Sequence, residues 1–297
     1  MKNIPPAALE RSILRNGVSI GETFPFGIAC LFQLRLLGER TNLFKMVTGM
    51  VRTLIAGNWK MNGLKSALME VDKVVAQLGT FADDADCLIC PPSTLIVPMH
   101  DRAGQRLRVG AQACHPEALG AFTGDLSAEQ LRDAGASYVI VGHSERRSEH
   151  GERSAYVQEQ AHACLRAGVT PIVCVGESFA QRQRGETKDT VMRILRKSLP
   201  TLGADDSIVV AYEPLWAIGT GLVPSSEEIA EVHQVIRTLL LELYQDRGAS
   251  VPILYGGSMK PGNAAEILAI ENVNGGLIGG ASLKAEDFMA IYAAAVA

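Results

Sequence analysis

Side chains that could carry out acid–base chemistry follow five short apolar segments of the sequence. If those segments are parallel strands, their carboxyl ends meet at one rim and these groups converge there. The arrangement predicts a single site with two carboxylates, one imidazole, one lysine and glycine-rich turns. In chain order the groups are Asn58 and Lys60, His143 with Ser144 and Glu145, Glu213, Ser258 in Gly256-Gly257-Ser258, and Ser282 in Gly279-Gly280-Ala281-Ser282.

Glu213 and His143 are the two groups best suited to moving protons. Glu213 follows the apolar run 208–212, where partial burial would raise the pKa of its carboxyl and strengthen it as a base toward carbon acids. His143 precedes a predicted helix beginning at Ser144, and the positive end of a helix dipole disfavours an imidazolium. We therefore expect a glutamate base and a neutral histidine that donates a hydrogen bond. The other five histidines are predicted to be structural.

Glycine-rich turns after the last two apolar runs point to an anionic substrate. Gly256-Gly257-Ser258 and Gly279-Gly280 expose backbone N–H groups and let an anion approach the main chain closely. Barrels of alternating strands and helices often bind phosphate at these turns. Lys60 would place a cation near that phosphate. The chain has no His-Glu-x-x-His motif or Cys/His cluster, so neither a metal nor a cofactor is predicted.

Eight apolar runs are predicted as strands, with amphipathic helices between them. The runs are mostly continuous rather than alternating, as expected for parallel strands buried on both faces. Helical spacing appears in Leu64, Leu68, Val71, Val75 and Leu78. Capping boxes are predicted for Ser127 with Gln130 and for Ser225 with Glu228. The predicted strands span residues 52–57, 86–90, 107–111, 138–142, 170–175, 207–212, 252–255 and 276–279.

Such alternation fits either a closed barrel or an open doubly wound sheet. The glycine fingerprint of dinucleotide-binding sheets is absent after the first run, where Asn58-Trp59-Lys60-Met61-Asn62 stands instead. Residues 50–297 also have the length of roughly 250 residues that is common for a barrel. We therefore predict an α/β protein with a (β/α)8 TIM barrel as its single catalytic domain over 50–297.

Residues 1–49 have no sustained helical or strand periodicity and contain three prolines. We interpret them as an irregular N-terminal extension, either poorly ordered or translated from a start codon assigned too far upstream. An organelle transit segment is the alternative. Glu10, Glu22 and Glu39 count against it, because transit segments are poor in acidic residues.

Composition excludes several classes of function. The formal net charge of -4 does not favour binding to nucleic acid. No run of 18 apolar residues is present, so we expect a cytoplasmic protein that does not span a membrane. Cys87 and Cys90 form a C-x-x-C, but in a strand they would point to opposite faces, which argues against a shared metal.

Five stretches together resemble the triosephosphate isomerase family, and the resemblance covers about residues 51–297. They are Gly57-Asn58-Trp59-Lys60-Met61-Asn62, residues 141–147, residues 211–221, Tyr255-Gly256-Gly257-Ser258 and residues 279–283. The resemblance implies interconversion of dihydroxyacetone phosphate and D-glyceraldehyde 3-phosphate through an enediolate, a step of glycolysis and gluconeogenesis. No cofactor is implied.

The resemblance also implies a role for each matching residue. Glu213 would move a proton between carbons 1 and 2, and His143 would polarise the carbonyl. Lys60 and Asn58 would stabilise the enediolate, and Glu145 would orient the lysine region. Cys174 would be buried near the glutamate. Backbone groups would hold the phosphate at Gly219, Ser258, Gly279 and Gly280.

Two loops carry further expectations. The segment 217–221, with two glycines, would be a mobile lid that excludes water. Its second hinge, Leu222-Val223-Pro224, departs from the family pattern, and proline would stiffen it. The segment 120–125 resembles the family's intersubunit loop, so a homodimer is expected in which Thr123 reaches the partner's site.

Two other functions stay open on the sequence alone. The same base, histidine and phosphate turns would serve an isomerase of a related four-carbon sugar phosphate. A barrel that only binds a sugar phosphate would need neither a base nor a lid. Comparing turnover of the three-carbon and four-carbon sugar phosphates tests the first alternative. Binding of a sugar phosphate without turnover would identify the second.

Overall fold

Eight parallel strands close into a barrel in which each strand pairs with its neighbours in the chain and β1 pairs with β8. The computed structural model describes residues 51–217, 222 and 224–297. On β1, Thr53 lies opposite Ala85 of β2, and Gly57 lies opposite Ile278 of β8. The strands are β1 (Thr53–Asn58), β2 (Ala85–Cys90), β3 (Leu107–Ala111), β4 (Tyr138–Val141), β5 (Thr170–Val175), β6 (Val209–Tyr212), β7 (Ile253–Tyr255) and β8 (Gly275–Ile278).

Helices follow the strands around the barrel. In the described part of the chain, short 3-10 helices accompany them at Lys65–Ala67, Ser93–Leu95, Gln245–Ser250 and Gly280–Leu283. The α-helices of the described residues are α1 (Leu68–Leu78), α2 (Ile96–His100), α3 (Ala128–Asp133), α4 (Ser144–Glu149), α5 (Ser154–Arg166), α6 (Phe179–Gln183), α7 (Thr187–Ser198), α8 (Ser226–Tyr244), α9 (Ala264–Leu268) and α10 (Ala285–Ala295).

The core has two layers because successive side chains of a strand point to opposite faces. One cluster fills the inside of the barrel and includes Leu88, Cys90 and Ile172. The other lies between the strands and the helices and includes Cys87. Cys87 and Cys90 therefore lie on opposite faces of β2, as their spacing predicts.

Capping residues fix where several helices begin. Ser127 and Ser225 accept from the backbone of Gln130 and Glu228, whose side chains accept in return, so both predicted capping boxes are present. Ser178 with Gln181 forms a third capping box, which was not predicted. Gly168 adopts φ +69°, the left-handed conformation predicted for it after the last turn of α5.

The predicted fold class is confirmed, and each predicted strand overlaps an observed one. The predicted stripe of α1 is wrong at one end, because Leu64 precedes the helix and is 79% exposed. The predicted extension at residues 1–49 lies outside the described residues. No helix within the described part of the chain has the length and apolarity needed to cross a membrane.

Candidate active site

A cavity of about 290 Å³ opens at the carboxyl ends of the strands. It is lined by Asn58 at the end of β1 with Lys60 just beyond it, by His143 after β4 and by Glu213 after β6. The turns after β7 and β8 complete the wall. The structure thus brings together every predicted catalytic and substrate-binding residue except Glu145, which contacts Lys60 from outside the cavity, and Gly219, which lies outside the described residues. The turn residues that line it are Gly256, Gly257, Ser258, Met259, Lys260, Gly279, Gly280 and Ala281.

Glu213 is almost fully buried, and its carboxylate contacts three donors. The backbone N–H of Ser144 donates to Oε2 at 3.0 Å, and the Ser144 hydroxyl donates to Oε1 at 3.1 Å. His143 Nε2 lies 2.9 Å from the same Oε1. Burial alone would raise the pKa of this carboxyl, but the hydrogen bond with His143 and the two hydrogen bonds from Ser144 outweigh it, and the pKa is lowered.

The sequence-based expectation of a raised pKa for Glu213 is therefore wrong for this arrangement. It considered burial but not the donors that the loop after β4 brings to the carboxylate. Charge-assisted hydrogen bonds of this kind favour the ionised form. In the geometry observed, the group is a carboxylate that is stabilised by its neighbours.

The backbone at the end of β4 determines how the His143 ring is presented. Gly142 turns the chain with φ +65°, and a Cβ there would lie 2.7 Å from Val157. His143 then caps α4, and its Nδ1 accepts from the Glu145 N–H at 3.3 Å. An accepting Nδ1 carries no proton, so Nε2 must carry it in the neutral ring. This geometry supports the neutral histidine expected from the sequence.

Lys60 is held in an uncommon backbone conformation at φ +52°. Its N–H donates to Asn58 Oδ1 at 3.0 Å, and its carbonyl accepts from Gln112 Nε2 at 2.9 Å. The ammonium group forms an ion pair with Glu145. Gln112 was not predicted; its only signal was its position directly after the third apolar run.

Two glycines allow Glu213 to lie against neighbouring strands. A Cβ at Gly176 would lie 1.8 Å from the Glu213 carbonyl oxygen, and one at Gly256 would lie 2.9 Å from Glu213 Cγ. Any larger residue would displace the chain that carries the carboxylate. Cys174 on β5 is fully buried, and burial together with the Glu213 charge raises the pKa of its thiol. Gly176 was not predicted as a site residue.

The residue just before the predicted lid, Trp216, is held by a buried glutamate. Glu177 Oε1 accepts from Trp216 Nε1 at 2.9 Å and from the Tyr212 hydroxyl at 3.1 Å. The Arg182 guanidinium lies over the Trp216 ring, 4.5 Å from its centroid. Burial raises the pKa of Glu177. Most of the predicted lid, residues 218–221, lies outside the described residues, as does Val223 of the second hinge.

Residues predicted to face a partner chain are exposed in the described subunit. Thr123 is exposed, and so are the large apolar side chains of Phe122 on the same segment and of Leu119 just before it. Within residues 51–217, 222 and 224–297, no group of three or more His, Cys, Asp or Glu side chains is arranged to hold a metal ion.

Comparisons with known proteins agree on one family. Residues 53–295 match the sequence family described as triosephosphate isomerase. The chain is 57% identical to a triosephosphate isomerase of Hyphomonas neptunium over 244 residues, which is 82% of this chain and 98% of that protein. It is 54% identical to one of Bradyrhizobium diazoefficiens over 246 residues, again covering 82% and 98%.

A solved structure gives the same result. The crystal structure of triosephosphate isomerase from Bartonella henselae superposes with a TM-score of 0.77 at 42% identity, covering 82% of this chain and 99% of that one. The resemblance found in the sequence motifs is thereby confirmed. None of these relatives supports the four-carbon isomerase or the non-catalytic binding barrel. The match of almost the entire barrel, together with the convergence of its rim residues, establishes that the chain belongs to the triosephosphate isomerase family.

Proposed function

We propose that the chain interconverts dihydroxyacetone phosphate and D-glyceraldehyde 3-phosphate, with Glu213 as the base that acts on carbon. The observation that carries this proposal is the contact between Glu213 and His143 at the rim of one cavity. A buried carboxylate 2.9 Å from the Nε2 of a neutral imidazole supplies both a proton acceptor and a hydrogen-bond donor. A small ketone with an adjacent acidic C–H needs this pair of groups.

The reaction then follows from the positions of the two groups. Glu213 takes a proton from carbon 1 of the ketone while the Nε2–H of His143 hydrogen-bonds to the carbonyl oxygen on carbon 2. The electron pair of the broken C–H bond forms the enediolate, whose negative charge the Lys60 ammonium stabilises. Protons are exchanged between the two oxygens through His143. Glu213 returns its proton to carbon 2, so the products balance and the enzyme is regenerated.

The turns after β7 and β8 offer room for the substrate's phosphate. At Gly280 a Cβ would meet nothing within 4 Å, and at Gly279 the nearest atom would be Lys60 Cε at 3.7 Å. The backbone at these glycines therefore borders open space next to the lysine. We assign the phosphate to the N–H groups of Ser258, Gly279 and Gly280, with Gly219 as the contribution of the lid.

Glu145 is assigned to positioning Lys60. Its carboxylate forms an ion pair with the ammonium group, and its N–H donates to His143 Nδ1 at 3.3 Å. One residue thus contacts both the cation and the ring. The side chain of Glu145 is 52% exposed, so the ion pair itself adds little stability, and we expect its effect on orientation to matter more.

The assembly is proposed to be a homodimer located in the cytoplasm. Support comes from exposed apolar side chains on the segments that follow β1 and β3: Met61 is 96% exposed and Leu119 is 86% exposed. Burying such groups is the usual driving force for association. All the cavity residues named above lie within 51–297, so residues 50–297 are proposed to form the catalytic domain.

A steady-state assay with both triose phosphates tests the proposed reaction. We expect turnover in both directions at neutral pH that persists in the presence of a chelator. The Glu213→Asp variant withdraws the carboxylate by about one carbon–carbon bond and should lower kcat by roughly a hundredfold or more, because displacements near 1 Å have effects of that size. Near-wild-type kcat in this variant would contradict the assignment of Glu213.

Substrate comparison separates the alternatives. The value of kcat/KM should be far higher for the three-carbon than for the four-carbon sugar phosphate. A preference for the four-carbon compound would favour the related isomerase. Tight binding of a triose phosphate with no turnover, in a protein with an intact cavity, would favour the binding barrel.

A further inference from the structure

Two buried cysteines lie in contact away from the catalytic cavity. Cys114 is in the segment after β3, and Cys164 is in the last turns of α5. Their Sγ atoms are 3.6 Å apart. The other described cysteines, Cys87, Cys90 and Cys174, lie on strands β2 and β5.

The backbone around the pair keeps the two thiols together. Gln160, one turn before Cys164 on α5, donates from Nε2 to the Cys114 carbonyl at 2.8 Å. The Cys114 thiol lies 3.8 Å from the Gln160 carbonyl. The segment after β3 is therefore fastened to α5 at the position of the thiols. An S–S bond of about 2.05 Å needs an approach of roughly 1.5 Å, which side-chain rotation and small backbone shifts can supply.

The two thiols differ in how deeply they are buried within one subunit. Cys114 is 6% exposed and lines a cavity of about 230 Å³ that also contains Arg146, Tyr156 and Asp125. Cys164 is fully buried behind it. The contact with Cys114 and burial raise the pKa of the Cys164 thiol, which makes it a poor first nucleophile. A small polar oxidant that enters this cavity would meet Cys114 first.

We propose that Cys114 and Cys164 form a reversible disulfide when the chain is exposed to a hydroperoxide. The Cys114 thiolate attacks one peroxide oxygen, the O–O bond breaks, and a sulfenic acid forms with release of water or an alcohol. The Cys164 thiol then loses its proton and attacks the Cys114 sulfur. The S–O bond breaks and water leaves. Two thiols are oxidised and one hydroperoxide is reduced.

The disulfide would act on the catalytic site through Gln112. Gln112, two residues before Cys114, donates to the carbonyls of Lys60 and Cys90, both at 2.9 Å. Drawing Cys114 toward α5 pulls on the residue that holds the strained backbone of Lys60. We expect kcat to fall several-fold on oxidation and to recover on addition of a thiol reductant.

Peptide mapping of the full chain after mild hydrogen peroxide tests the proposal. Free thiols are alkylated under denaturing conditions before digestion. We expect one peptide pair linked through Cys114 and Cys164, with a mass about 2 Da below that of the two reduced peptides, while Cys87, Cys90 and Cys174 are alkylated. Alkylation of both Cys114 and Cys164 after peroxide treatment would overturn the proposal.

Variants separate the disulfide from general oxidation. In Cys164→Ala the sulfenic acid on Cys114 has no partner and should be trapped by dimedone, which should label the wild type far less. Cys87→Ala serves as the matched control and should still form the linked pair. Peroxide inactivation that persists in Cys164→Ala, or a linked pair with unchanged kcat, would overturn the link to activity. Peptide mapping of the wild-type chain does not depend on whether any variant folds.

Discussion

The carboxylate that takes a proton from carbon must be both available and sufficiently basic. In this structure Glu213 accepts two hydrogen bonds from Ser144 and contacts His143 Nε2. These contacts lower its pKa and favour the ionised form. They also make it a weaker base than an isolated buried carboxylate would be. We therefore expect Glu213 to give up part of this hydrogen bonding when it turns toward the substrate.

Removing the Ser144 hydroxyl should shift the acid limb of the pH profile. The limb is the fall in kcat/KM as Glu213 becomes protonated, and a lowered pKa places it at lower pH. Ser144→Ala removes one hydrogen bond that favours the charged form, so the pKa of Glu213 should rise. The limb should therefore move to higher pH.

The measurement is kcat/KM between pH 4 and 8, corrected for ionisation of the substrate phosphate. Ser148→Ala is the matched control, because Ser148 is an exposed serine on the same helix, α4. It should leave the profile unchanged. An acid limb in Ser144→Ala that stays in place, or moves to lower pH, would contradict the role given to Ser144.

Much of the site could be predicted from residue types at the ends of apolar runs. Asn58, Lys60, His143 and Glu213 converge because parallel strands all end at the same rim. The contribution of Gln112 depends on how two loops meet in space. The direction of the Glu213 pKa shift likewise depends on donors 69 residues away in the chain. Neither follows from local sequence.

At the scale of elements, continuous apolar runs predict the strands well, whereas helical spacing predicts the packed faces of the helices less well. Buried parallel strands are mostly apolar, and the predicted bounds of β3 and β5 agree with the observed ones, although Arg108 is an exposed charged residue within β3. A helical stripe has less defined limits. Leu64 continues the predicted stripe of α1 in the sequence, yet it is 79% exposed, because it precedes the helix.

Helix α8 contains a buried histidine that should make stability depend on pH. His233 is fully buried, packs edge-on against Tyr212 with ring centroids 6.0 Å apart, and lies 3.0 Å from the Asn272 carbonyl through Nδ1. Burial lowers its pKa to about 4. Between that value and the unfolded value near 6.5, the unfolded chain binds more protons, so stability falls as the pH falls.

We expect His233 to account for a loss of about 2 kcal/mol in the free energy of unfolding between pH 7 and pH 5. Urea unfolding at fixed protein concentration measures it, and His233→Gln should show a correspondingly smaller difference between the two pH values. His162→Gln, at an exposed position on α5, is the control and should behave like the wild type. An equal pH dependence in His233→Gln would contradict this expectation.

At the scale of the whole molecule, the proposed dimer makes a prediction about Phe122. This side chain is 42% exposed and precedes Thr123 on the segment assigned to the partner contact. Phe122→Asp would place a charge in that contact, and burying an unpaired charge is costly. We expect monomers in analytical ultracentrifugation and a loss of most of the activity.

Leu241→Asp is the matched control for the dimer. Leu241 is also 42% exposed but lies on α8, outside the proposed contact. It should remain a dimer with normal turnover. A monomeric wild type with full activity, or dimers in Phe122→Asp at all protein concentrations, would contradict the proposed assembly.

The barrel brings its rim residues together for transfer of a proton by Glu213, and isomerisation in deuterium oxide measures that transfer directly. The product formed by the wild type should contain deuterium on carbon, because the proton held by the glutamate can exchange with solvent before it is returned. Glu213→Gln, which cannot accept a proton, should form product at least about a thousandfold more slowly, as expected when the catalytic proton-transfer group is lost. Product without any deuterium, or turnover in Glu213→Gln close to that of the wild type, would contradict proton transfer by this residue.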